Sequence, residues 1–178
     1  MTGKKISSRI ARLVPLPREA KALKGNFAWQ KDIRVILEKG NVRDAIAAET
    51  LVKACEERSL AAPKIFYQAN RDTLGSKTIL AGDPCRHLLL LEAMKKNGIE
   101  IPPEIGDDGY ILHILPSQIL IAGNTAQGIY YGFQTLIQLL PEKGKAASPV
   151  SRSLTGQRSS TGGFPWILPG DNSPSQSS

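Results

Sequence analysis

The sequence is poor in the residues from which most catalytic and metal sites are built: it has two cysteines, two histidines and 6% aromatic residues. Cys55 falls within a helical pattern and Cys85 beside a loop, so we expect two buried or half-buried thiols and no disulfide framework. His87 lies two residues from Cys85, but a nucleophile and its base must be adjacent in space, which sequence proximity does not establish. No ligand spacing indicates a metal. We therefore predict no catalytic residue, no metal site and no cofactor site.

Long apolar runs are also missing. The longest, HLLLLEAM, is far below the roughly 20 residues of a membrane-spanning helix. The N-terminus, MTGKKISSRIARLVPLPRE, has basic residues but no apolar segment of the kind that signal peptides contain, so we expect no secretory signal and leave the cellular location open. A chain of 178 residues is long enough for one domain, or for one domain and a tail.

Positive charge is present but unevenly distributed. The net charge is +7, and residues 1–24 hold seven Lys and Arg against one Glu. No aromatic residues are interleaved with these basic residues, so we expect residues 1–10 to be a solvated arm and nucleic-acid binding to be disfavoured. The alternative, nucleic-acid binding through the arm, predicts an affinity that falls steeply with salt and needs residues 1–24.

Short apolar runs and periodic segments predict the secondary structure. IRVIL (33–37), KIFYQ (64–68) and KTILAG (77–82) are typical of strands. Residues 41–60 place apolar side chains at helical spacing behind Asn41, a suitable N-cap. HLLLLEAMKKNG predicts a second helix that stops at Gly98.

A hairpin and a third helix follow. YILHIL and QILIAG predict two strands joined by a tight connection, and their alternation points His113 away from the face of Tyr110, as a surface or interface histidine. The helix of residues 125–142 begins near Thr125. Its apolar stripe, at helical spacing, comprises Ile129, Phe133, Leu136, Ile137 and Leu140. Gly128 and Gly132 share one side, which allows this helix to lie close against a sheet.

The order of these elements is strand, helix, strand, strand, helix, strand, strand, helix. This order predicts an α+β fold, in which a small mixed or antiparallel sheet carries helices packed on one face. After Glu142 the periodicity ends, and residues 143–178 are rich in Ser, Gly and Pro. We expect this segment to be a disordered tail.

Two segments together resemble a known domain. They are LVPLPREAKALKGNFAW and DDGYILHILPSQILIAGNTAQGIYYGFQTLIQLLP. The matching positions in the second are Gly109, Tyr110, Pro116, Ile119, Ile121, Gly128, Tyr131, Gly132, Gln134, Thr135, Leu136, Gln138 and Leu139. The chain resembles the accessory domain that precedes the catalytic barrel of family-20 glycoside hydrolases, the β-N-acetylhexosaminidases. Similar domains occur in some other hexosaminidase and glucuronidase families. We expect the domain to cover residues 11–142.

The resemblance implies where the chemistry of such enzymes lies. In that family an adjacent Asp and Glu in the following (β/α)₈ barrel do the catalysis, with the acetamido group of the substrate as nucleophile. A barrel needs roughly 250 residues, and this chain contains no adjacent Asp-Glu pair. The nearest carboxylate doublets, Asp107 with Asp108 and Glu56 with Glu57, fit a solvated turn and a helix end. We therefore expect a truncated, non-catalytic protein whose barrel-facing surface is exposed and prone to self-association.

A free-standing carbohydrate- or protein-binding module is the alternative function. Sugar sites usually present exposed aromatic rings, and the candidates are Trp29, Tyr67, Tyr130 and Tyr131. The placement of most of these on strands or helices favours core or interface positions instead.

The tail permits a further hypothesis about the gene. When each codon takes the third base of one residue and the first two of the next, the junctions of residues 152–172 can encode VLDWPALKYRGFSMDTSRRQ. Most of these letters are permitted and not required, but Trp166 followed by Ile167 necessarily yields an Asp codon. The barrel of the family begins with a pattern like Asp-x-Pro, then Arg-Gly, then an Asp-containing strand, and the shifted peptide contains Asp-Trp-Pro, Arg-Gly and an Asp in this order. The tail is therefore either out-of-frame translation of an interrupted gene or a natural Ser/Gly/Pro segment.

Overall fold

The computed structural model describes residues 12–14, 17–38, 41–67, 74, 76–102, 105–141 and 150–156. They form a seven-stranded mixed sheet with three helices, which confirms the predicted α+β class. The strands are β1 (Glu19–Asn26), β2 (Ile33–Leu37), β3 (Lys64–Tyr67), β4 (Lys77–Gly82), β5 (Tyr110–Ile114), β6 (Gln118–Gly123) and β7 (Val150–Gly156). The helices are α1 (Val42–Glu57), α2 (Leu88–Lys96) and α3 (Ala126–Leu139).

The sheet has the strand order β1-β7-β5-β6-β4-β2-β3. The pairs of β2 with β3, β2 with β4, and β4 with β6 are parallel, whereas β5 and β7 pair antiparallel with both of their neighbours. Since β2, β4 and β6 point the same way and each is followed by a helix or by a loop into one, all three helices begin at the same edge of the sheet. We call this edge, where the parallel strands end, the carboxyl edge.

Residues at the ends of the three helices fix where each helix begins or stops. The Asn41 side chain accepts from the N–H of Asp44 at the start of α1, and Thr125 does the same for Gly128 at the start of α3. Gly98 follows the C-cap of α2 with a φ of 63°, in the left-handed region that favours glycine. These features confirm the predicted cap at Asn41, the predicted start of α3 near Thr125 and the predicted stop at Gly98.

The helices pack on both faces of the sheet, so the prediction of helices on one face is wrong. One core, under α1 and α3, includes Val35, Ile79 and Ile121. The other core, under α2, includes Leu80 and Leu120. The central parallel strands β2, β4 and β6 are mostly buried and apolar on both sides because both of their faces are covered.

The strand β7 contradicts the prediction of irregular chain after residue 142. Residues 150–156 lie in the sheet between β1 and β5, and Leu154 is fully buried. The short sequence VSRSLTG has a weak strand pattern of its own, and its partners on both sides supply the hydrogen bonds. β1 was likewise not predicted. The expected arm of residues 1–10 and the tail segments 142–149 and 157–178 lie outside the described residues.

Helix α3 lies against the sheet with almost no space at its two glycines. A Cβ on Gly128 would lie 2.1 Å from the carbonyl oxygen of Gly109, and one on Gly132 would lie 2.5 Å from Cγ2 of Ile121. The predicted role of these glycines is thus confirmed. In the described part of the chain, no helix has both the length and the apolar character needed to cross a membrane.

Candidate functional site

The Cys85–His87 segment is not a nucleophile–base pair. Cys85 is exposed in the turn before α2, which differs from the expected half-buried thiol. The Nδ1 atom of His87 accepts from the N–H of Leu90 at 3.2 Å, so its Nε2 carries the hydrogen that faces the carbonyl oxygen of Ile36 at 3.1 Å. Nδ1 therefore caps α2 and Nε2 links this segment to β2, so both ring nitrogens already have structural partners. Cys55 is buried as predicted, and burial raises the pKa of its thiol to about 12.

The two carboxylate doublets lie in separate parts of the fold. Asp107 and Asp108 form a turn before β5, at the carboxyl edge, and Glu56 and Glu57 are exposed at the end of α1, at the other edge. These positions are the turn and the helix end that the sequence indicates. Across the residues that the structure describes, no group of three or more His, Cys, Asp or Glu side chains could hold a metal ion.

The four candidate aromatic residues do not form one sugar-binding platform. Trp29 packs edge-on against Phe27 with ring centroids 5.9 Å apart, and its Nε1 donates to the carbonyl oxygen of Ala61 at 2.9 Å. Tyr67 ends the edge strand β3 and is 49% exposed. Tyr130 and the half-buried Tyr131 are neighbours on α3. Only Tyr67 and Tyr130, on different elements, present much ring surface.

His113 is buried, which corrects the expectation of a surface histidine. It lies on the same face of β5 as Ile111 and opposite Tyr110, as the alternation predicts, but its exposed fraction is 8%. Its Nδ1 has no hydrogen-bond partner, and burial lowers the pKa of the ring.

The outward side of α1 and α3 is a candidate docking surface, which we call the helical surface. The two helices pack side by side, and Nη1 of Arg58 donates to the carbonyl oxygen of Ile137 at 2.6 Å. Val42 and Ile46, one turn apart on α1, are 70% and 54% exposed, and Tyr130 on α3 is 37% exposed. Exposed apolar side chains on neighbouring helices are typical of a surface that contacts another domain.

A cleft of about 440 Å³ lies between α2 and the amino ends of β4 and β6. Its floor includes Thr78, Leu80 and Gln118, and the charged residues Glu92 and Lys96 of α2 line one wall. None of the residues singled out from the sequence lines this cleft, and its lining mixes apolar and polar groups without an aromatic ring.

Three carboxylates, those of Asp44, Glu38 and Asp83, lie at the carboxyl edge, and sequence reasoning missed them. Asp44 in the first turn of α1 is fully buried, and burial, followed by the charges of Glu38 and Asp83, raises its pKa to about 6. An acidic residue near a helix N-terminus is so common that its sequence position carries no signal of burial.

The histidine that caps α2 should make stability depend on pH. Burial lowers the pKa of His87 in the folded protein, so the stability it contributes is present above the unfolded value of about 6.5 and is lost as the pH falls below it. We expect His87→Asn, which keeps a cap but not the bond to Ile36, to lower the unfolding free energy by about 1–2 kcal/mol at pH 7.5. In urea unfolding, the difference in unfolding free energy between His87→Asn and the wild type should be smaller at pH 5.5 than at pH 7.5. An equal difference at both pH values would contradict the role that we assign to His87.

Several solved protein structures contain a domain with the same fold as this chain. The chain matches CpGH84D (TM-score 0.62, 11% identity, 82% of this chain and 24% of that one). It also matches Flavobacterium johnsoniae chitobiase (0.56, 18%, 80% and 20%), and Streptomyces plicatus N-acetyl-β-hexosaminidase (0.52, 18%, 83% and 26%). It thus spans about a quarter or less of the length of these proteins. No curated protein sequence matches it. The family model described as glycosyl hydrolase family 20, domain 2, matches residues 11–154, and the chain therefore belongs to this family.

Proposed function

We propose that this chain acts as the accessory domain of a β-N-acetylhexosaminidase-like glycoside hydrolase and has no hydrolase activity of its own. The observation that carries the proposal is the family match, which is to domain 2 of family 20 and covers residues 11–154. The sequence also supports it, because the chain contains no adjacent Asp-Glu pair of the kind that does the catalysis in this family.

In a full-length enzyme the helical surface would contact the catalytic (β/α)₈ domain. Support comes from Val42, Ile46 and Tyr130, whose exposed apolar groups lie on the two helices that share one face of the sheet. Without a catalytic domain to cover them, the same groups would favour self-association at high concentration.

A chromogenic N-acetylglucosaminide tests the lack of activity. We expect the purified chain to release no chromophore above the blank over a day, while Streptomyces plicatus N-acetyl-β-hexosaminidase, as positive control, turns the substrate over. Turnover by the chain would refute the proposal if it disappears in Asp107→Asn/Asp108→Asn or Glu56→Gln/Glu57→Gln. Turnover that is equal in all of these variants identifies a contaminating enzyme.

A free-standing carbohydrate-binding module is the second candidate function, and the exposure of Tyr67 and Tyr130 favours it. Titration with chitin oligosaccharides separates the two: saturable binding that Tyr67→Ala or Tyr130→Ala abolishes would support the module.

An interrupted gene remains a proposal about the tail. The family match extends to residue 154, so an interruption of the gene would lie after that residue and not directly after residue 142. The nucleotide sequence decides it: a shifted frame that closes within a few codons, or that encodes a different peptide, would exclude an interrupted gene.

A further inference from the structure

At the start of α1, one oxygen of a buried carboxylate has no hydrogen-bond partner. Asp44 is the third residue of α1 and is fully buried. Its Oδ2 accepts from Nδ2 of Asn41 at 2.8 Å, and its backbone N–H donates to Oδ1 of Asn41 at 3.3 Å. Its own Oδ1 has no hydrogen-bond partner. A buried acceptor of this kind is costly, and more so when it is ionised.

Glu38, directly after β2, is in the same situation. Its Oε2 is also buried without a partner, and its charge acts on Asp44. Two carboxylates that each bury an unpaired oxygen, and that repel each other when both are ionised, favour a state in which one of them holds a proton.

Among the residues that the structure describes, those of the neighbouring elements do not neutralise this charge. Asp83, after β4, adds a third negative charge, and its Oδ1 accepts from the N–H of Cys85. The cation against it, Arg86, lies 3.9 Å away with a side chain that is 70% exposed, so solvent screens it. Burial lowers the pKa of His87, next to α2, and this effect outweighs the hydrogen bond to Ile36 and the charge of Glu38, which both act in the opposite direction. The partial positive charge at the start of α1 favours ionised Asp44, yet burial and the two carboxylates outweigh it, as the direction of the shift shows.

We propose that Asp44 and Glu38 form a proton-binding pair that holds the start of α1 to the carboxyl edge more firmly in mildly acidic than in neutral solution. The proton removes one of two adjacent negative charges and turns an unpaired acceptor into a donor. Val42 and Ile46 lie with Asp44 in the first two turns of α1. Protonation of the pair therefore also stabilises this part of the helical surface. This last consequence rests on the proposed function, whereas the proton binding itself does not.

Replacing the carboxyl by an amide tests the pair. Asp44→Asn keeps the acceptor for Asn41 and cannot ionise. Relative to the wild type, we expect it to raise the melting temperature by about 5 °C or more at pH 7.5 and by roughly a third of that gain at pH 4.5, where the carboxyl of the unfolded chain, with a pKa of about 3.9, is still mostly ionised. The melting temperature of the variant is compared with that of the wild type at the same pH. This comparison is needed because protonation of His87 and His113 destabilises the folded protein as the pH falls, which opposes the effect of Asp44. Glu49→Gln, on the exposed side of α1, is the matched control and should show no such pH dependence.

A second variant and a direct titration keep the test sharp. Glu38→Gln removes one of the charges that raise the pKa of Asp44, so the midpoint of its titration should move to lower pH. Carboxyl carbon NMR of the wild type should show one carboxyl that titrates near pH 6, whose signal is absent in Asp44→Asn. The proposal is overturned if every carboxyl titrates below about pH 5, or if Glu38→Gln leaves the Asp44 midpoint unchanged. It is also overturned if the gain from Asp44→Asn is equal at both pH values. None of these outcomes depends on hydrolase activity or on a catalytic partner.

Discussion

A chain that ends at residue 149 is expected to lose cooperative folding, whereas a chain that ends at residue 160 should melt like the full-length protein. The first truncation removes β7, which pairs on one side with β1 and on the other with β5. Each backbone hydrogen bond has a net value of about 1 kcal/mol, so the loss of two ladders is comparable to the total stability of a domain, about 5–15 kcal/mol. The strand β1 would also have no neighbour left.

Side-chain packing adds to the importance of β7. Leu154 is fully buried in the core under α1 and α3. The ring of Tyr110 fills the space beside Gly156, where an added Cβ would lie 2.2 Å from the ring carbon Cζ. The hydroxyl of Tyr110 in turn contacts that of Thr135 on α3 at 2.6 Å. The last strand is thus connected through β5 to the last helix.

Thermal melting and circular dichroism of the two truncated chains check this prediction. Leu154→Ala weakens the packing of β7 without removing the strand. It should lower the unfolding free energy of the full-length chain by about 2–5 kcal/mol. Thr155→Ala, at the half-buried neighbouring position, is its matched control. If Leu154→Ala were no more destabilising than Thr155→Ala, or if the chain ending at residue 149 melted normally, β7 would not be part of the folded domain.

Gly128→Ala should be among the most destabilising single substitutions in this protein. We expect it to lower the unfolding free energy by about 3 kcal/mol, the upper end of typical overpacking costs. The added methyl would lie 2.1 Å from the carbonyl oxygen of Gly109. This oxygen belongs to the backbone and cannot rotate away as the end of a side chain can. The contact is held tightly because Oγ1 of Thr125 donates to the carbonyl oxygen of Asp107 in the same turn. The usual gain from replacing glycine by alanine in a helix, about 1 kcal/mol, is too small to compensate.

Urea unfolding of two glycine variants isolates the steric effect. At Gly98 an added Cβ would meet nothing within 4 Å, although φ is +63°, so Gly98→Ala should cost about 1 kcal/mol through backbone strain alone. Gln127→Ala, at an exposed position next to Gly128, controls for a change in the first turn of α3 and should be nearly neutral. A loss in Gly128→Ala no larger than that in Gly98→Ala would contradict the close approach of α3 to the turn before β5.

The elements that sequence predicts correctly are those whose own residues contain the signal. The strands β2 and β4 are short apolar runs, and α1 and α3 begin at Asn41 and Thr125, whose side chains cap them locally. The family resemblance rests on two segments, residues 13–29 and 107–141, and the family match confirms it. For each of these strands and helices, the pattern of side chains lies within the element that it forms.

The strand β7 could not be found in this way. It has two apolar residues in seven, and surrounding Ser, Gly and Pro residues hide them. Its neighbours β1 and β5 lie some 40 to 130 residues earlier in the chain, and they supply the hydrogen bonds and the buried side that make the segment a strand. The family match also extends past residue 142, to residue 154.

By itself, the sequence determined the positions of its helices and central strands, the caps of α1 and α3, and its family, because these depend on short-range periodicity and on one closely spaced motif. Tertiary structure decided which face α2 covers, because Ile79 and Leu80 are equally apolar and alternation does not distinguish the two sides of a strand buried on both. It also decided that His113 is buried, and that Asp44, Glu38 and Asp83 converge at the carboxyl edge. Burial and charge–charge repulsion depend on which distant segments meet, and that is a property of the folded chain alone.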